Sequence, residues 1–151
     1  MLKSISAFLD RLRERDGDEA LGEDEVKLAT AALLVYTIAI DGRIHEVEMA
    51  RLKLLLASHF QLDEPDVNRL LTEAEQRERQ AVDIYRFTSV LRDRLSLEEK
   101  REIIAMMWML VYADGELAPL EDNLVWRVAE LIAVPARDRM ELKRMVRDGG
   151  G

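Results

Sequence analysis

Two stretches of the chain determine its fold: VKLATAALLVYTIAIDGRIHEVE at residues 26–48 and IIAMMWMLVYADGELAPLE at residues 103–121. Residues 26–40 are nearly all apolar, and residues 103–113 are entirely apolar. A helix that is apolar around its whole circumference has to be buried. Both stretches are therefore predicted to form central helices, each followed by the motif Asp-Gly-x-(Ile/Leu)-x-x-x-Glu.

The two motifs belong to an internal repeat. A shift of 73 residues aligns the polar positions of the motif: Asp41 with Asp114, Gly42 with Gly115, and Glu48 with Glu121. Apolar character agrees at the same offset in six further pairs: Leu34 and Met107, Ile38 and Val111, Ile44 and Leu117, Val47 and Leu120, Leu52 and Val125, Leu55 and Val128. Self-similarity of this length indicates two copies of one unit, made of a buried helix, a corner and an amphipathic helix.

The remaining segments are also predicted to be helical, because their apolar residues recur at helical spacings and no segment alternates like a strand. Ser96 and Glu99 form a capping box, Asp63 precedes acidic residues, and Pro119 and Pro135 suit first helical turns. The predicted fold is all-α, a single helical domain of seven to eight helices. The predicted helices are residues 2–14, 25–40, 45–59, 64–77, 80–94, 97–113, 119–133 and 136–147.

The N-terminal segment is predicted to form an amphipathic helix, because its apolar residues recur at spacings of three and four: Leu2, Ile5, Phe8, Leu9 and Leu12. Residues 16–25 are rich in Asp, Glu and Gly and are typical of a linker. Docking of this helix on the body is favoured over binding to a partner. The chain divides into residues 1–23, this helix with its acidic linker, and residues 24–148, the helical domain. The domain contains the first repeat at about 26–77, a bridging helix at 80–94 and the second repeat at about 97–147.

The chain has a formal net charge of -8, so its average field repels nucleic acids and anionic lipids and favours cations or basic partners. The basic residues between 137 and 147 alternate with acids and are interpreted as a solvated helix face.

The absence of Cys excludes thiolate zinc sites and disulfides. The longest apolar run, 11 residues, is shorter than the roughly 20 of a membrane-spanning helix. No signal peptide is recognisable. We expect a soluble cytoplasmic protein that has no transmembrane segment and binds no nucleic acid.

The motif spacing reproduces the second half of a calcium-binding EF-hand loop. The first half is missing, because the ligand positions before each Asp hold Thr37 and Ala39 in one copy and Leu110 and Tyr112 in the other. A standard EF-hand is therefore excluded.

Helix-corner chemistry explains much of the motif without a metal. Gly42 and Gly115 would end the central helices at positive φ, and Ile44 and Leu117 would enter the core. Glu48 and Glu121 would fall near the third position of the next helix, where a carboxylate opposes the helix dipole. Asp41 and Asp114 fit less well, because an acid at a helix C-terminus faces the negative end of the dipole. The compensating positive group could be an Arg, turn amides or a divalent cation, and the spacing leaves these alternatives open.

The two motifs resemble those of the tellurite-resistance TerB-like family, whose domain also occurs at the N-terminus of a membrane-bound DnaJ-type co-chaperone. The resemblance rests on residues 39–44 with Glu48 and residues 112–117 with Glu121, and it covers about residues 24–147. It implies an all-helical domain with paired acidic corners, divalent-metal binding and a part in stress or tellurite response. The metal ligands it implies are Asp41, Glu48, Asp114 and Glu121, with calcium or magnesium favoured over zinc.

The second copy departs from the first, because Pro119 replaces Glu46 and removes any ligand supplied there. The two sites need not be equal. The chain shows no J-domain, so the co-chaperone role does not follow from the resemblance. The first hypothesis is a non-enzymatic TerB-like accessory protein that binds a divalent cation. The alternative is a protein-interaction module whose acidic corners are purely structural. The protein partner is unspecified, and formation of a homodimer is left open.

The other functional candidates receive simpler interpretations. His45 could add a metal ligand or cap the following helix, whereas His59 beside Phe60 is expected to serve packing or to face the helix dipole. The Met-rich run 106–109 is expected to lie in the core. The glycines form no phosphate loop and the serines form no nucleophile elbow, so no catalytic activity is predicted.

Overall fold

The computed structural model describes residues 22–40, 42, 44–80, 84–113 and 119–149, without the side chains of residues 78–80. Seven helices account for nearly all of this structure. No strand occurs in these ranges. The all-α prediction is confirmed. The helices are residues 22–38 (α1), Glu46–Phe60 (α2), Glu64–Gln80 (α3), Tyr85–Arg94 (α4), Leu97–Val111 (α5), Pro119–Leu131 (α6) and Ala136–Asp148 (α7).

Two predicted boundaries differ from the structure. Gln80 ends α3 and does not open the bridging helix, which begins at Tyr85 as α4. Gly22 already belongs to α1, so part of the predicted linker is helical, because the acids that suggested a linker also stabilise a first helical turn. A Cβ at Gly22 would lie 2.5 Å from the guanidinium of Arg94, so the end of this flexible side chain would have to shift. The predicted helix 2–14 and linker residues 16–21 lie outside the described residues.

The helix ends follow the offset of the predicted internal repeat. Helices α1 and α5 end at residues 38 and 111, and helices α2 and α6 begin at residues 46 and 119, so both pairs keep the offset of 73. The environments also agree. Leu52 and Val125 are both fully buried, whereas Val47 and Leu120 are both more than half exposed. The two copies therefore turn the same faces inward and outward.

The core is formed around the two apolar stretches, as predicted. Helix α5 packs against α2, α6 and α7, and α4 packs against α6. Met106, Met107 and Trp108 are at most 5% exposed, so the Met-rich run is core as expected. The nitrogen Nε1 of Trp108 donates to the carbonyl of Arg139 at 3.3 Å, which gives the buried indole its polar partner.

The predicted helix starts at Ser96 and Asp63 are confirmed by their hydrogen bonds. The Ser96 hydroxyl accepts from the Glu99 amide at 3.2 Å, and the Glu99 carboxylate accepts from the Ser96 amide at 3.0 Å. The Asp63 carboxylate accepts from the Asp66 amide at 3.0 Å. These side chains satisfy amides that a helix N-terminus leaves without partners.

Candidate functional site

The first corner begins where α1 ends. The amides of Ala39 and Gly42 donate to Val35 and Ala39 carbonyls at 3.1 and 2.9 Å, and Gly42 has φ of +85°. The predicted left-handed glycine is confirmed at this corner. Its counterpart Gly115 lies outside the described residues, as do Asp41, Asp114 and Leu117.

Gly42→Ala is expected to lower the free energy of unfolding by about 1 kcal/mol, because an L side chain is strained at this φ. A Cβ would meet no atom of the described residues within 4 Å, so steric overlap with them adds nothing to this strain. Ala133→Gly is the matched opposite change, because Ala133 has φ of +66° after α6, and we expect it to stabilise the protein. Urea unfolding of both variants measures the difference. If both variants were less stable than the parent, or both more stable, the assignment of backbone strain would be contradicted.

Glu48 has the most unusual environment in the first corner. It occupies the third position of α2, as predicted, and is only 5% exposed. Its carboxylate lies 4.0 Å from Nε2 of His45, the residue that precedes the helix. The His45 side chain makes no capping hydrogen bond, so the predicted capping role is not observed. The helix dipole favours a carboxylate at this position.

Glu121 occupies the equivalent third position of α6 and is partly buried. The adjacent Asp122 turns toward α7, where its carboxylate accepts from Nζ of Lys143 at 2.8 Å. Asp122 is therefore engaged in helix packing. The second corner thus presents the expected glutamate, in a more open position than Glu48.

Ile44 was expected to enter the core, and this prediction is wrong, because the side chain is 48% exposed. The buried face of α2 consists of Glu48, Leu52 and Leu56 at spacings of four. Continued backward, that spacing reaches Ile44, but the helix begins only at Glu46. The backbone at His45 is extended, so the helical face does not continue to Ile44.

The structure brings Glu48 and His45 together but tests only part of the predicted ligand set. Glu48 and Glu121 are placed in equivalent first turns, whereas both aspartates lie beyond what is described. Among the residues that are described, no group of three His, Asp or Glu side chains could hold a metal ion. His59 has the packing role expected of it, with its ring edge-on to Phe60 at 4.6 Å and 3.6 Å from the Glu102 carboxylate.

A buried acidic group between α1 and α3 was not predicted. Glu73 is 2% exposed, and its Oε1 accepts from Nε of Arg77 at 3.1 Å, while its Oε2 has no hydrogen-bond partner among the described residues. Burial raises the pKa of Asp24, nearby Lys27 lowers it, and the charge of Glu73 raises it further. The sequence carries only a weak signal for this pair, the spacing of four between Glu73 and Arg77.

The raised pKa of Asp24 predicts a pH dependence of stability. The folded chain holds this proton more tightly than the unfolded chain, so the free energy of unfolding falls as pH rises from the ordinary aspartate pKa through the raised pKa. Asp24→Asn should remove this loss, so the variant should gain stability relative to the parent as pH rises toward 7. Urea unfolding across this range, with exposed Glu98→Gln as the charge control, measures it. If the difference in free energy of unfolding between Asp24→Asn and the parent were the same at every pH, the pH dependence would not come from Asp24.

Comparison with known proteins places these corners in context. The family model described as "Tellurite resistance protein TerB" matches residues 27–144, which is most of the chain. Searches of curated proteins and of solved structures give no significant match. No helix in the described part of the chain is long and apolar enough to cross a membrane.

Proposed function

Because the chain belongs to the TerB family, we propose that it is a non-enzymatic accessory protein that binds a divalent cation at its acidic corners. The proposed ligands are Asp41 and Glu48 in the first corner and Asp114 and Glu121 in the second. The cation is calcium or magnesium. The cellular role follows the description of the family, a part in tellurite or stress response.

The burial of Glu48 is the observation that carries this proposal. An ionised carboxylate loses hydration on burial and needs compensation from hydrogen bonds, a dipole or a positive charge. The start of α2 supplies the positive end of a dipole worth about 0.3–1 kcal/mol. Glu48 also has a polar partner within the protein, and a bound cation would add to this compensation. Asp41 lies seven residues before Glu48 in the sequence. The repeat then extends the same assignment to Asp114 and Glu121.

The chemistry of the donor groups favours a hard cation. Carboxylate oxygens are the ligands that calcium and magnesium prefer, and the chain has no cysteine for a softer metal. A bound cation would neutralise the acids at each corner and join the end of one helix to the start of the next. The first site is expected to bind more tightly, because Glu46 provides an additional acid where the second copy has Pro119.

Thermal unfolding of chelator-treated protein tests this proposal, with calcium, magnesium, manganese and zinc each added separately. Tryptophan fluorescence follows the transition, because Trp108 is fully buried in α5 and Trp126 lies on α6. We expect an increase of several degrees with calcium or magnesium. No increase with any of the four cations, or an increase with zinc alone, would contradict the proposal.

A second candidate function is a protein-interaction module with purely structural acidic corners. The observation that favours it is the exposure of apolar residues at both corners, with Ile44, Val47 and Leu120 between 48% and 59% exposed. Under this alternative, Val47→Ser with Leu120→Ser would remove partner binding, and no added cation would change stability. Cation-dependent stability would count against the purely structural interpretation.

A further inference from the structure

Helix α7 is anchored to the body through its acidic residues. The guanidinium of Arg101 on α5 lies 3.4 Å from the carboxylate of Asp138 and 3.5 Å from that of Glu141. Asp138 lies in the first turn of α7 and Glu141 lies in its middle. Both carboxylates therefore pair with a cation of another helix and not with the basic residues of α7 itself.

The outer face of α7 is correspondingly basic. Arg137 and Arg144 are exposed and form no ion pair with any residue that the structure describes. Arg147 is exposed, and its one ion pair within the described residues is with the adjacent Asp148, at 3.1 Å. The seven residues between Arg137 and Arg144 correspond to two helical turns, or about 10 Å along the axis. Two uncompensated guanidinium groups thus lie at a fixed spacing on one helix.

An apolar side chain lies between them. Met140 is 51% exposed and lines a groove of about 430 Å³ together with the basic side chains. We call this surface the α7 groove, and its residues are Arg137, Met140, Glu141, Lys143, Arg144 and Arg147. Methionine is flexible and polarisable, so it adapts to apolar partners of different shapes. Arginine binds carboxylates through two parallel hydrogen bonds.

We propose that the α7 groove binds an acidic peptide segment of a partner protein, with an aliphatic side chain of that segment resting on Met140. Charge complementarity selects this occupant. The chain carries a net charge of -8, and Arg137 and Arg144 form a local basic site on it. An extended polyanion such as DNA or an anionic membrane meets the repulsive field of the whole protein, whereas a short peptide meets mainly the groove.

Two occupants from this chain, residues 1–15 and α7 of a second copy, are excluded by their charge. Residues 1–15 contain four basic and two acidic side chains, so this segment has the same sign as the groove. A symmetric pairing of two copies through α7 would place like charges opposite one another. Residues 16–21 carry three acids and no base, so preferential binding of a peptide of this sequence would assign the groove to the chain itself and overturn the proposal of a partner. The inference does not depend on cation binding at the corners, and every measurement below is made in the presence of chelator.

Two tryptophans can report on occupation of the groove. The guanidinium of Arg139 lies 5.5 Å from the centre of the Trp126 ring, and Nζ of Lys143 lies 5.2 Å from that of Trp108. Trp126 is 45% exposed, so its emission responds to a change of solvent beside α7. Binding is therefore expected to change the intrinsic fluorescence.

Selection from a random library of displayed 12-residue peptides tests the proposal with the full chain. We expect enrichment of peptides with several Asp or Glu residues and at least one Leu, Ile or Met. An enriched peptide, titrated by fluorescence, should bind the variant Arg137→Glu with Arg144→Glu at least about tenfold more weakly than it binds the parent protein. The same peptide with its Glu residues replaced by Gln should bind the parent protein as weakly. Arg137→Ala with Arg144→Ala should also weaken binding, without adding charge repulsion.

The control is Lys53→Glu with Arg86→Glu, which reverses two exposed basic residues on α2 and α4 and should leave binding unchanged. Circular dichroism checks that each variant is folded. The proposal is overturned if no acidic consensus is enriched, or if the α7 and control variants weaken binding equally. Binding of a 20-nucleotide DNA or of anionic vesicles through Arg137 and Arg144, in place of acidic peptides, would also overturn it.

Discussion

Binding of calcium at the second corner should raise the free energy of unfolding by about 2.7 kcal/mol when the calcium concentration is about 100 times the dissociation constant of that site. Asp114→Asn with Glu121→Gln should abolish this increment, because both substitutions replace a charged oxygen ligand with a neutral amide. Without metal the double variant should lose only about 1 kcal/mol, since Glu121 lies in the first turn of α6, where its charge opposes the helix dipole. Urea unfolding with and without calcium separates these two effects.

The control for this experiment removes two negative charges elsewhere. Glu98 and Glu130 are exposed on α5 and α6 and lie outside both corners. Glu98→Gln with Glu130→Gln should therefore keep the full calcium increment. If this control loses the increment as completely as the corner variant does, the effect depends on net charge and the ligand assignment is wrong. An increment that survives Asp114→Asn with Glu121→Gln would also contradict the assignment.

Leu52→Ala is expected to destabilise the protein by about 3 kcal/mol, the typical loss for a leucine removed from a packed core. Leu52 is fully buried on the inner face of α2, and its repeat counterpart Val125 is equally buried on α6. The substitution removes apolar contacts and leaves a cavity that the surrounding helices can close only in part.

Leu54→Ala is the matched control, because it makes the same chemical change two residues away on the same helix. Leu54 is 68% exposed, so its truncation should change stability by no more than about 0.5 kcal/mol. Urea denaturation of both variants gives the comparison. Similar losses at the two positions would mean that α2 does not face the core as described, and the repeat register would then be wrong as well.

The sequence predicts the helices well because their signals are local. The capping box at Ser96, the buried run 103–111 and the offset of 73 residues all reappear in the structure. The exposure of Ile44 was missed because it depends on the path of the backbone through the corner, which is still extended at His45, and α2 begins one residue later than predicted. Residues spaced four apart lie on the same face only where the backbone is helical.

Interactions between helices distant in sequence could not be predicted. Arg101 lies 37 and 40 residues from its partners Asp138 and Glu141, and nothing in the local pattern links them. The burial of Glu73 likewise depends on how α1 and α3 meet. Of the predicted ligands, Glu48 and Glu121 are found in equivalent first turns, as their spacing from the glycines predicts. The basic residues of α7 were interpreted as a solvated face, and the groove beside them became visible only in the structure.

Cation binding at the acidic corners can be measured by isothermal titration calorimetry of calcium, and then of magnesium, into chelator-treated protein. We expect saturable binding of one of these ions at up to two sites of unequal affinity. We also expect loss of the weaker site in Asp114→Asn with Glu121→Gln. Heats no larger than dilution for both ions, at concentrations up to several millimolar, would contradict cation binding and leave the acidic corners with a structural role alone.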